Sequence, residues 1–197
     1  CAPAHIIVAR GSNEPQGPGV IGSLANMTMR DAPGTSMESI VWPATIDNYA
    51  NSSSEGTAAT TAALSAKVLQ CPQTKIIMMG YSQGAHVIGD SLCGGGLVGL
   101  PTPPVDPAIS ANVVAIVQYG DPRHLPNMPY DIGTSIKTGL FPRNLATQSC
   151  SRFAPLLRSF CDTGDPFCDQ GTAIEVHRRY AREYNAQARE FVAAMLG

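Results

Sequence analysis

Residues 75–84 read KIIMMGYSQG, and the fold expected for the whole chain follows from this stretch. A short apolar run, typical of a buried strand, leads through GYSQG into residues 85–92, AHVIGDSL, which predict a helix. A strand, a sharp turn and a helix with serine at the apex form the nucleophile-elbow pattern, Gly-x-Ser-x-Gly. Gly80 and Gly84 suit this turn because strand and helix pass so close that a Cβ atom would clash. Ser82 is therefore the candidate nucleophile, although an ordinary serine in a turn fits the same five residues.

The composition limits the classes of function. A chain of 197 residues is long enough to bury a core, and we expect one domain spanning residues 1–197. Only 14% of the residues are charged, against about 25% in typical domains. The net charge of -2 offers no basic surface to nucleic acid. No apolar run approaches the roughly 20 residues that span a bilayer, so we expect no membrane segment.

Six cysteines without a Cys-x-x-Cys pair favour disulfides over a zinc site. Disulfides persist in oxidising compartments, so we expect a secreted, extracellular protein. The chain opens with Cys-Ala-Pro, which we interpret as a mature terminus left after processing. Asn26 and Asn51 begin Asn-x-Ser/Thr tripeptides and are candidate glycosylation sites. Nothing in the sequence indicates a metal, a cofactor or an obligate partner, and we expect a monomer.

Apolar runs and helical spacings alternate along the chain. Strands are predicted at residues 5–9, 39–42, 75–79, 112–119 and 156–160. Helices are predicted at residues 20–29, 56–70, 85–92 and 173–196. Residues 45–55 are polar and predict a surface loop, and residues 128–149 predict irregular structure. Strands that alternate with helices indicate an α/β sandwich around a mainly parallel sheet.

A serine hydroxyl needs a base to take its proton, and the base needs an acid to fix its tautomer. Elbow hydrolases carry these residues in the order Ser, Asp or Glu, His, and His177 before the closing helix fits that order. His124 follows a predicted strand and is an alternative base at the same sheet edge. His5 begins the first strand, which favours a structural role, and His86 leaves its helix away from the elbow apex.

The acid needs a rigid mount because its role is to orient the base. Residues 161–168, CDTGDPFC, would form a short, stiff loop if their two cysteines pair, with Asp165 in the middle. Asp162 and Asp169 are competitors in the same segment, and Asp121 after the strand at 112–119 is another.

An oxyanion hole needs donors aimed at the developing negative charge. The backbone N–H of Gln83, after the nucleophile, is one candidate. The second should come from the loop after the first strand, where Gly11-Ser12 stands, and the Ser12 hydroxyl could contribute. An ordinary turn at residues 10–12 is the alternative explanation.

Taken together, these motifs resemble the cutinase and acetylxylan esterase family of secreted fungal serine esterases. Residues 9–14, ARGSNE, are similar to the family's first-strand loop. Residues 71–84, from Cys-Pro to GYSQG, are similar to its nucleophile segment. Residues 161–168, followed by His177, are similar to its acid and base segment. The resemblance runs along the whole chain.

The resemblance implies a three-layer α/β/α sandwich around a mainly parallel sheet of about five strands, an α/β-hydrolase fold without a lid. It implies Ser82, Asp165 and His177 as a catalytic triad, with Ser12 and Gln83 as oxyanion donors. It also implies the disulfides Cys1–Cys71 and Cys161–Cys168. These two pairs leave Cys93 and Cys150, which would form a third.

Within the family, residues 92–96, 120–122 and 161–168 look more like those of the acetylxylan esterases. Gly11-Ser12 looks more like the cutinases, because acetylxylan esterases tend to carry Thr where Ser12 stands. The resemblance therefore implies removal of acetyl groups from xylan, a plant cell-wall polysaccharide.

Two alternatives stay open. The first is a cutinase that hydrolyses cutin polyester and short-chain fatty acid esters, for which Ile174 and Val176 beside His177 would supply an apolar rim. The hydrophilic segment 45–55 argues against it, because a cutin-binding site favours apolar flaps. The second alternative is a non-catalytic cell-wall-binding protein on the same scaffold.

Overall fold

The computed structural model describes residues 1–97 and 100–197. Its strands are β1 (Ala4–Ala9), β2 (Ser36–Ser39), β3 (Lys75–Tyr81), β4 (Val113–Tyr119), β5 (Asp131–Ile132) and β6 (Leu157–Phe160). They form one sheet in the order β2-β1-β3-β4-β6-β5, and all neighbouring strands are parallel. The mainly parallel sheet is therefore confirmed.

Helices lie between and after the strands. They are α1 (Gly22–Asp31), α2 (Tyr49–Gln70), α3 (Gln83–Cys93), α4 (Pro107–Ser110), α5 (Ile174–Arg178) and α6 (Tyr180–Leu196). A 3-10 helix, Ser151–Leu156, leads into β6. Parallel neighbours need crossover connections, and here most of these connections contain a helix.

Two hydrophobic cores cover the two faces of the sheet. Alternate residues of β1 point to opposite faces, so Ile7 belongs to one core and Ile6 to the other. The core that includes Ile7 contains Leu64 of α2 and Val87 of α3. The core that includes Ile6 contains residues of α1 and α6, with Val192 among them. Helices on both faces give the three layers that the family resemblance implies.

The strand predictions need two corrections. Within the described residues the sheet has six strands, one more than the approximate number expected, because Asp131–Ile132 pairs with β6 inside a segment predicted to be irregular. Two residues are too few to give a periodic signal. The second strand is Ser36–Ser39 rather than 39–42, and it lies at an edge of the sheet. Edge pairing uses the backbone, so these polar residues form the strand while the apolar residues after it fill the core.

The predicted surface loop at 45–55 is wrong in its second half, because α2 begins at Tyr49. Its polar side chains bond back to their own helix: Ser53 Oγ donates to the Tyr49 carbonyl at 2.8 Å, and Thr57 Oγ1 to the Ser53 carbonyl at 2.8 Å. The closing helix is also divided, with Arg179 separating α5 from α6. In both segments, tertiary packing rather than the apolar periodicity of the sequence determines the backbone conformation.

Three disulfides join Cys1 to Cys71, Cys93 to Cys150, and Cys161 to Cys168, and these are the pairs discussed with the resemblance. Asn26 lies exposed on α1 and Asn51 exposed on α2, so both glycosylation candidates are on helix surfaces. Across the described ranges, no helix combines the length and the apolar character that crossing a membrane requires.

The parallel topology brings the carboxyl ends of the strands to one edge of the sheet. The loop with Ser12 follows β1, Ser82 follows β3, and Gly120 follows β4. The loop with Asp165 follows β6. Ligands of open α/β sheets bind at this edge.

Candidate active site

The turn between β3 and α3 holds Ser82 in a strained conformation. Its backbone angles are φ 56° and ψ -121°, a region that residues with a side chain rarely adopt. The Ser82 N–H donates to the Tyr119 carbonyl at 2.7 Å, and the Ser82 carbonyl accepts from the His86 N–H at 3.1 Å. The neighbouring strand and the first helical turn therefore hold the strained serine at the apex.

Two glycines make this turn possible. A Cβ atom on Gly80 would lie 2.6 Å from the Gly84 carbonyl oxygen, and one on Gly84 would overlap the Ala9 carbonyl oxygen. The predicted clash is confirmed at both positions. Helix α3 can thus begin directly against the ends of β1 and β3, with Ser82 between them.

Asp165 and His177 meet in a hydrogen bond. His177 Nδ1 lies 2.8 Å from Asp165 Oδ2. Asp165 Oδ2 also accepts from the Tyr180 hydroxyl at 2.8 Å, and Oδ1 accepts from the N–H groups of Phe167 (2.7 Å) and Cys168 (3.0 Å). Burial alone would raise the pKa of Asp165, but hydrogen bonds to His177, Cys168 and Phe167 outweigh it and lower that pKa. The carboxylate is therefore an acceptor, and Nδ1 of the neutral imidazole carries the proton while Nε2 is left with a lone pair.

The competing acids bind other groups. Asp162 accepts from Thr134 Oγ1 at 3.2 Å and from the Tyr184 hydroxyl at 2.8 Å. Asp169 accepts from the Ser135 hydroxyl at 2.6 Å. Asp121 Oδ1 accepts from the Arg123 N–H at 2.9 Å. Of the four candidates, the structure brings Asp165 alone to the His177 ring.

The other three histidines lie elsewhere. His5 bridges Ser36 Oγ (2.7 Å) and Glu38 Oε1 (2.9 Å) at the start of β1, the structural role that was expected. His86 is fully buried on α3 and bonds to Tyr49 rather than to Ser82. His124 is buried, and neither ring nitrogen has a hydrogen-bond partner among the described residues.

The ring of His177 is held on three sides. It stacks on Tyr81 with 5.0 Å between ring centroids. The centroid of the Phe167 ring is 4.5 Å from that of His177. Gly120, at φ +61°, lies so close that a Cβ there would be 2.7 Å from His177 Cε1. The Tyr81 hydroxyl donates to the His177 carbonyl at 3.1 Å. The position of the His177 backbone and the orientation of its ring are therefore both fixed.

Ser82, His177 and Ser12 line one cavity of about 470 Å³. No hydrogen bond joins Ser82 Oγ to the His177 ring within residues 1–97 and 100–197. Catalytic hydrogen bonds are often long before substrate binds, and a serine hydroxyl rotates freely. The nucleophile and base candidates therefore share one accessible space.

The oxyanion candidates lie at the same place. Ser12 Oγ donates to Gln83 Oε1 at 2.8 Å, which joins the β1 loop to the start of α3. In the part of the chain that the structure describes, neither the Ser12 nor the Gln83 backbone N–H has an intramolecular acceptor. Both N–H donors are thus available to a ligand in the cavity, and the helix N-terminus favours negative charge there.

The remaining wall of the cavity is mostly apolar. Its large apolar members are Ile46, Leu140, Phe141, Phe167 and Ile174. Ile174 lies on the rim as predicted, whereas Val176 does not line this cavity, so that half of the prediction is wrong. Ile46 and Tyr49 come from the segment predicted to be a hydrophilic loop. The described residues contain no cluster of three His, Cys, Asp or Glu side chains that could hold a metal ion.

Comparison with known proteins identifies the family. The Cutinase family model matches residues 1–196. The chain belongs to the cutinase family. It is 35% identical to an acetylxylan esterase of Hypocrea jecorina, over 100% of this chain and 68% of that protein. It is 31% identical to Cutinase 11 of Verticillium dahliae, over 100% of this chain and 70% of that protein.

A solved structure gives the same result for the fold. The catalytic core domain of acetyl xylan esterase from Trichoderma reesei superposes with a TM-score of 0.92 at 33% identity, covering 99% of each chain. The predicted family, its α/β-hydrolase fold and the class of carboxylic ester hydrolase are confirmed. The alternative of a non-catalytic binding protein is therefore not supported.

Sequence reasoning missed several residues that build the site. Tyr180 donates to Asp165, and Tyr81 stacks on His177, but neither tyrosine carries a sequence motif for these roles. Gly120 could have been found, because it follows the strongest predicted strand and a glycine there permits a close approach. Tyr49 was missed because its neighbours in the sequence are polar and were predicted to form a surface loop.

Proposed function

We propose that this chain is a secreted serine esterase that removes acetyl groups from xylan through a Ser82, His177 and Asp165 triad. The supporting observation is the 2.8 Å hydrogen bond between His177 Nδ1 and Asp165 Oδ2, with His177 and Ser82 on one cavity. A base whose tautomer is held by a buried carboxylate, beside a serine on a strained elbow, is the arrangement that nucleophilic acyl transfer requires.

In the proposed reaction, Ser82 Oγ attacks the ester carbonyl carbon while His177 Nε2 takes the hydroxyl proton. The tetrahedral intermediate collapses as His177 returns that proton to the leaving alcohol oxygen, and an acyl-enzyme remains. A water molecule then attacks the acyl carbonyl, with His177 again acting as base. The carboxylic acid leaves and Ser82 regains its proton. Asp165 stays ionised throughout and stabilises the imidazolium that forms twice.

The oxyanion of each intermediate would be bound by the backbone N–H groups of Gln83 and Ser12. Support comes from the lack of an acceptor for either N–H group among the described residues and from the position of Gln83 at the start of α3. The Ser12 hydroxyl is engaged with the Gln83 side chain, so we assign it to holding the loop rather than to a resting donor. Removing one such donor typically costs about 100- to 1,000-fold in turnover.

The choice of acetylated xylan rests on likeness. Both the Hypocrea jecorina protein and the Trichoderma reesei structure are named as acetylxylan esterases, and each aligns over nearly all of this chain. Secretion is supported by the three disulfides, which persist in oxidising compartments. We propose further that residues 1–197 act as a single, monomeric catalytic domain on plant cell-wall polymer.

A cutinase activity on polyester and fatty acid esters is the second candidate. It is favoured by the apolar cavity wall, where Ile46 and Leu140 are exposed at 55% and 45%. An acetyl group is too small to cover such a wall, whereas a longer acyl chain would bury part of it at about 25 cal/mol per Å². The likeness to Cutinase 11 of Verticillium dahliae supports the same candidate.

Hydrolysis of p-nitrophenyl acetate tests the triad. We expect Ser82→Ala to abolish turnover, because Ser82 carries the only serine or threonine hydroxyl of residues 80–84. Ser36→Ala is a matched control, since Ser36 also touches a histidine that touches a carboxylate, but at the start of β1. We expect that control to keep its activity. Activity near the parent level in Ser82→Ala would refute the proposed triad.

A substrate series separates the two candidates. Acetate release from acetylated xylan should be compared with monomer release from cutin, alongside p-nitrophenyl esters of increasing chain length. Acetyl esters turned over far faster than butyryl and longer esters would support the xylan proposal. Release of hydroxy fatty acids from cutin, with rates that rise with chain length, would replace it with the cutinase alternative.

A further inference from the structure

Tyr49 lines the cavity, but the proposed reaction gives it no role. Its ring lines the same space as Ser82 and lies against Phe141, with 5.2 Å between ring centroids. Its backbone carbonyl accepts from Gln83 Nε2 at 3.5 Å, so it stands next to the elbow. Its hydroxyl is 3.1 Å from His86 Nδ1. A tyrosine that lines the cavity is thus tied through its hydroxyl to a buried histidine.

The proton positions along this contact follow from the next partner. His86 Nε2 lies 3.1 Å from Asp90 Oδ2. The other oxygen, Asp90 Oδ1, lies 2.9 Å from Arg143 NH1 and 3.2 Å from Arg123 Nε. Two guanidinium groups keep this carboxylate ionised, so it can only accept hydrogen bonds. In the neutral imidazole, Nε2 therefore carries the proton and Nδ1 accepts from the Tyr49 hydroxyl.

The direction of that hydrogen bond decides what Tyr49 offers to a ligand. A phenol has one O–H donor and also accepts hydrogen bonds through its oxygen. Because the donor is committed to His86, only the acceptor side remains. Toward the cavity, the Tyr49 hydroxyl can therefore act only as a hydrogen-bond acceptor, and the wall around it is mostly apolar.

We propose that Tyr49 is a specificity-determining residue whose phenol oxygen accepts a hydrogen bond from a free hydroxyl in the alcohol part of the ester. This inference rests on the proposed esterase function. An acetyl group has no donor of its own, so the donor must belong to the alcohol. The matching substrate is an ester of a polyol that keeps a free hydroxyl beside the esterified one, as in a partly acetylated sugar ring.

The residues that anchor this acceptor are buried and hydrogen-bonded. Asp90 and His86 are 1% and 0% exposed, and Asp90 Oδ2 also accepts from the Gly96 N–H at 2.7 Å. Arg143 NH1 donates to the Gly94 carbonyl at 3.1 Å as well, which ties the cluster to the end of α3. A buried charge network of this kind stabilises little by itself, and its best-attested use is to specify one arrangement. Here the specified arrangement is the orientation of Tyr49, through His86 as a positioning residue.

Two matched substrates test the proposal: trans-2-acetoxycyclohexanol, which keeps a neighbouring hydroxyl, and its O-methyl ether, which does not. The readout is the ratio of kcat/KM for the free alcohol to that for the ether. Since a net hydrogen bond contributes about 0.5–1.5 kcal/mol, we expect a ratio of roughly 2 to 13 for the unmodified protein. In Tyr49→Phe the ratio should fall to about one. Tyr184→Phe is the control, since it loses a hydroxyl bound to Asp162 away from the cavity, and should keep the parent ratio.

A second variant tests the direction of the hydrogen bond. His86→Phe removes the acceptor, so the Tyr49 hydroxyl can donate into the cavity, where the ether oxygen accepts. The ratio of kcat/KM values should then fall below that of the parent. A general loss of structure would slow hydrolysis of both substrates equally and would leave this ratio unchanged. Thermal unfolding and hydrolysis of p-nitrophenyl acetate establish that each variant is folded.

The proposal is overturned if Tyr49→Phe keeps the parent ratio, if the unmodified protein shows no preference, or if it cleaves neither substrate. Failure of the proposed function has a different signature. In that case the unmodified protein would not hydrolyse p-nitrophenyl acetate, or Ser82→Ala would still do so.

Discussion

Asp131 in β5 is a half-buried carboxylate with an incomplete set of partners. Its Oδ2 accepts from the Met128 N–H at 2.8 Å. Its Oδ1 has no hydrogen bond within the described residues, and the nearest cationic candidate, His124 Nδ1, is 3.7 Å away. Burial, with a smaller contribution from the charge of Asp121, raises the pKa of Asp131 to about 6. The native fold therefore disfavours the ionised form of this side chain.

The sign and size of the effect on stability follow from that pKa. The unfolded chain has an ordinary aspartate pKa of about 3.9, so between roughly pH 4 and 6 the folded protein binds the extra proton. Stability contributed by Asp131 is therefore complete below pH 4 and is lost as pH rises through 6. A difference of about two pKa units corresponds to roughly 3 kcal/mol above pH 6.

Asp131→Asn should remove this loss. Asparagine cannot ionise, its carbonyl oxygen can accept from the Met128 N–H, and its amide can donate toward His124. We expect the variant to equal the parent in free energy of unfolding near pH 4 and to exceed it by up to about 3 kcal/mol at pH 8. Urea denaturation at a series of pH values measures both curves.

Asp47→Asn is the control for the loss of one negative charge, because Asp47 is exposed on the surface. The relevant quantity is the difference between variant and parent, in which the titration of other groups cancels. A difference for Asp131→Asn that stays constant from pH 4 to 8, or that favours the parent at pH 8, would refute the reasoning.

Two further predictions concern the acid. Asp165→Asn should lower kcat for p-nitrophenyl acetate by about four orders of magnitude, since an amide can hold His177 in the wrong tautomer; stopped assays that find more than 1% of parent activity would contradict this. Tyr180→Phe removes one of the four hydrogen bonds to Asp165 and also the acceptor of the Asp162 N–H, so the free energy of unfolding at pH 7 should fall by at least about 1.5–3 kcal/mol, as measured with urea. An unchanged unfolding midpoint in that variant would show that Tyr180 does not support the carboxylate.

The local geometry that was predicted correctly around the site lies where a short motif determines the backbone. Gly80, Ser82 and Gly84 encode the strained turn within five consecutive residues, and the clash at both glycines is present. The segment 161–168 is similar, because a disulfide closes it and its own N–H groups bind Asp165. The catalytic roles themselves stay predictions until activity is measured.

The parts that were missed depend on contacts between distant segments. Asp90 meets Arg143 across 53 positions, and no periodicity in either segment indicates that they pair. The start of α2 at Tyr49 was hidden because its polar residues are satisfied within the helix, which a count of apolar residues does not register. The edge strand β2 was displaced for a related reason, since backbone pairing makes no demand on side-chain polarity.

Two carboxylates on opposite faces of the sheet organise the site. Asp165 is held from the α6 side by Tyr180, and it orients His177. Asp90 belongs to α3 on the other face, and it orients Tyr49 through His86. The two networks share no residue, so their perturbations should be nearly additive and should differ in kind. Changes around Asp165 should lower turnover of every ester, whereas changes around Asp90 should alter the choice between esters. The same scaffold can therefore hold one chemistry constant while the α3 side adapts to a different substrate.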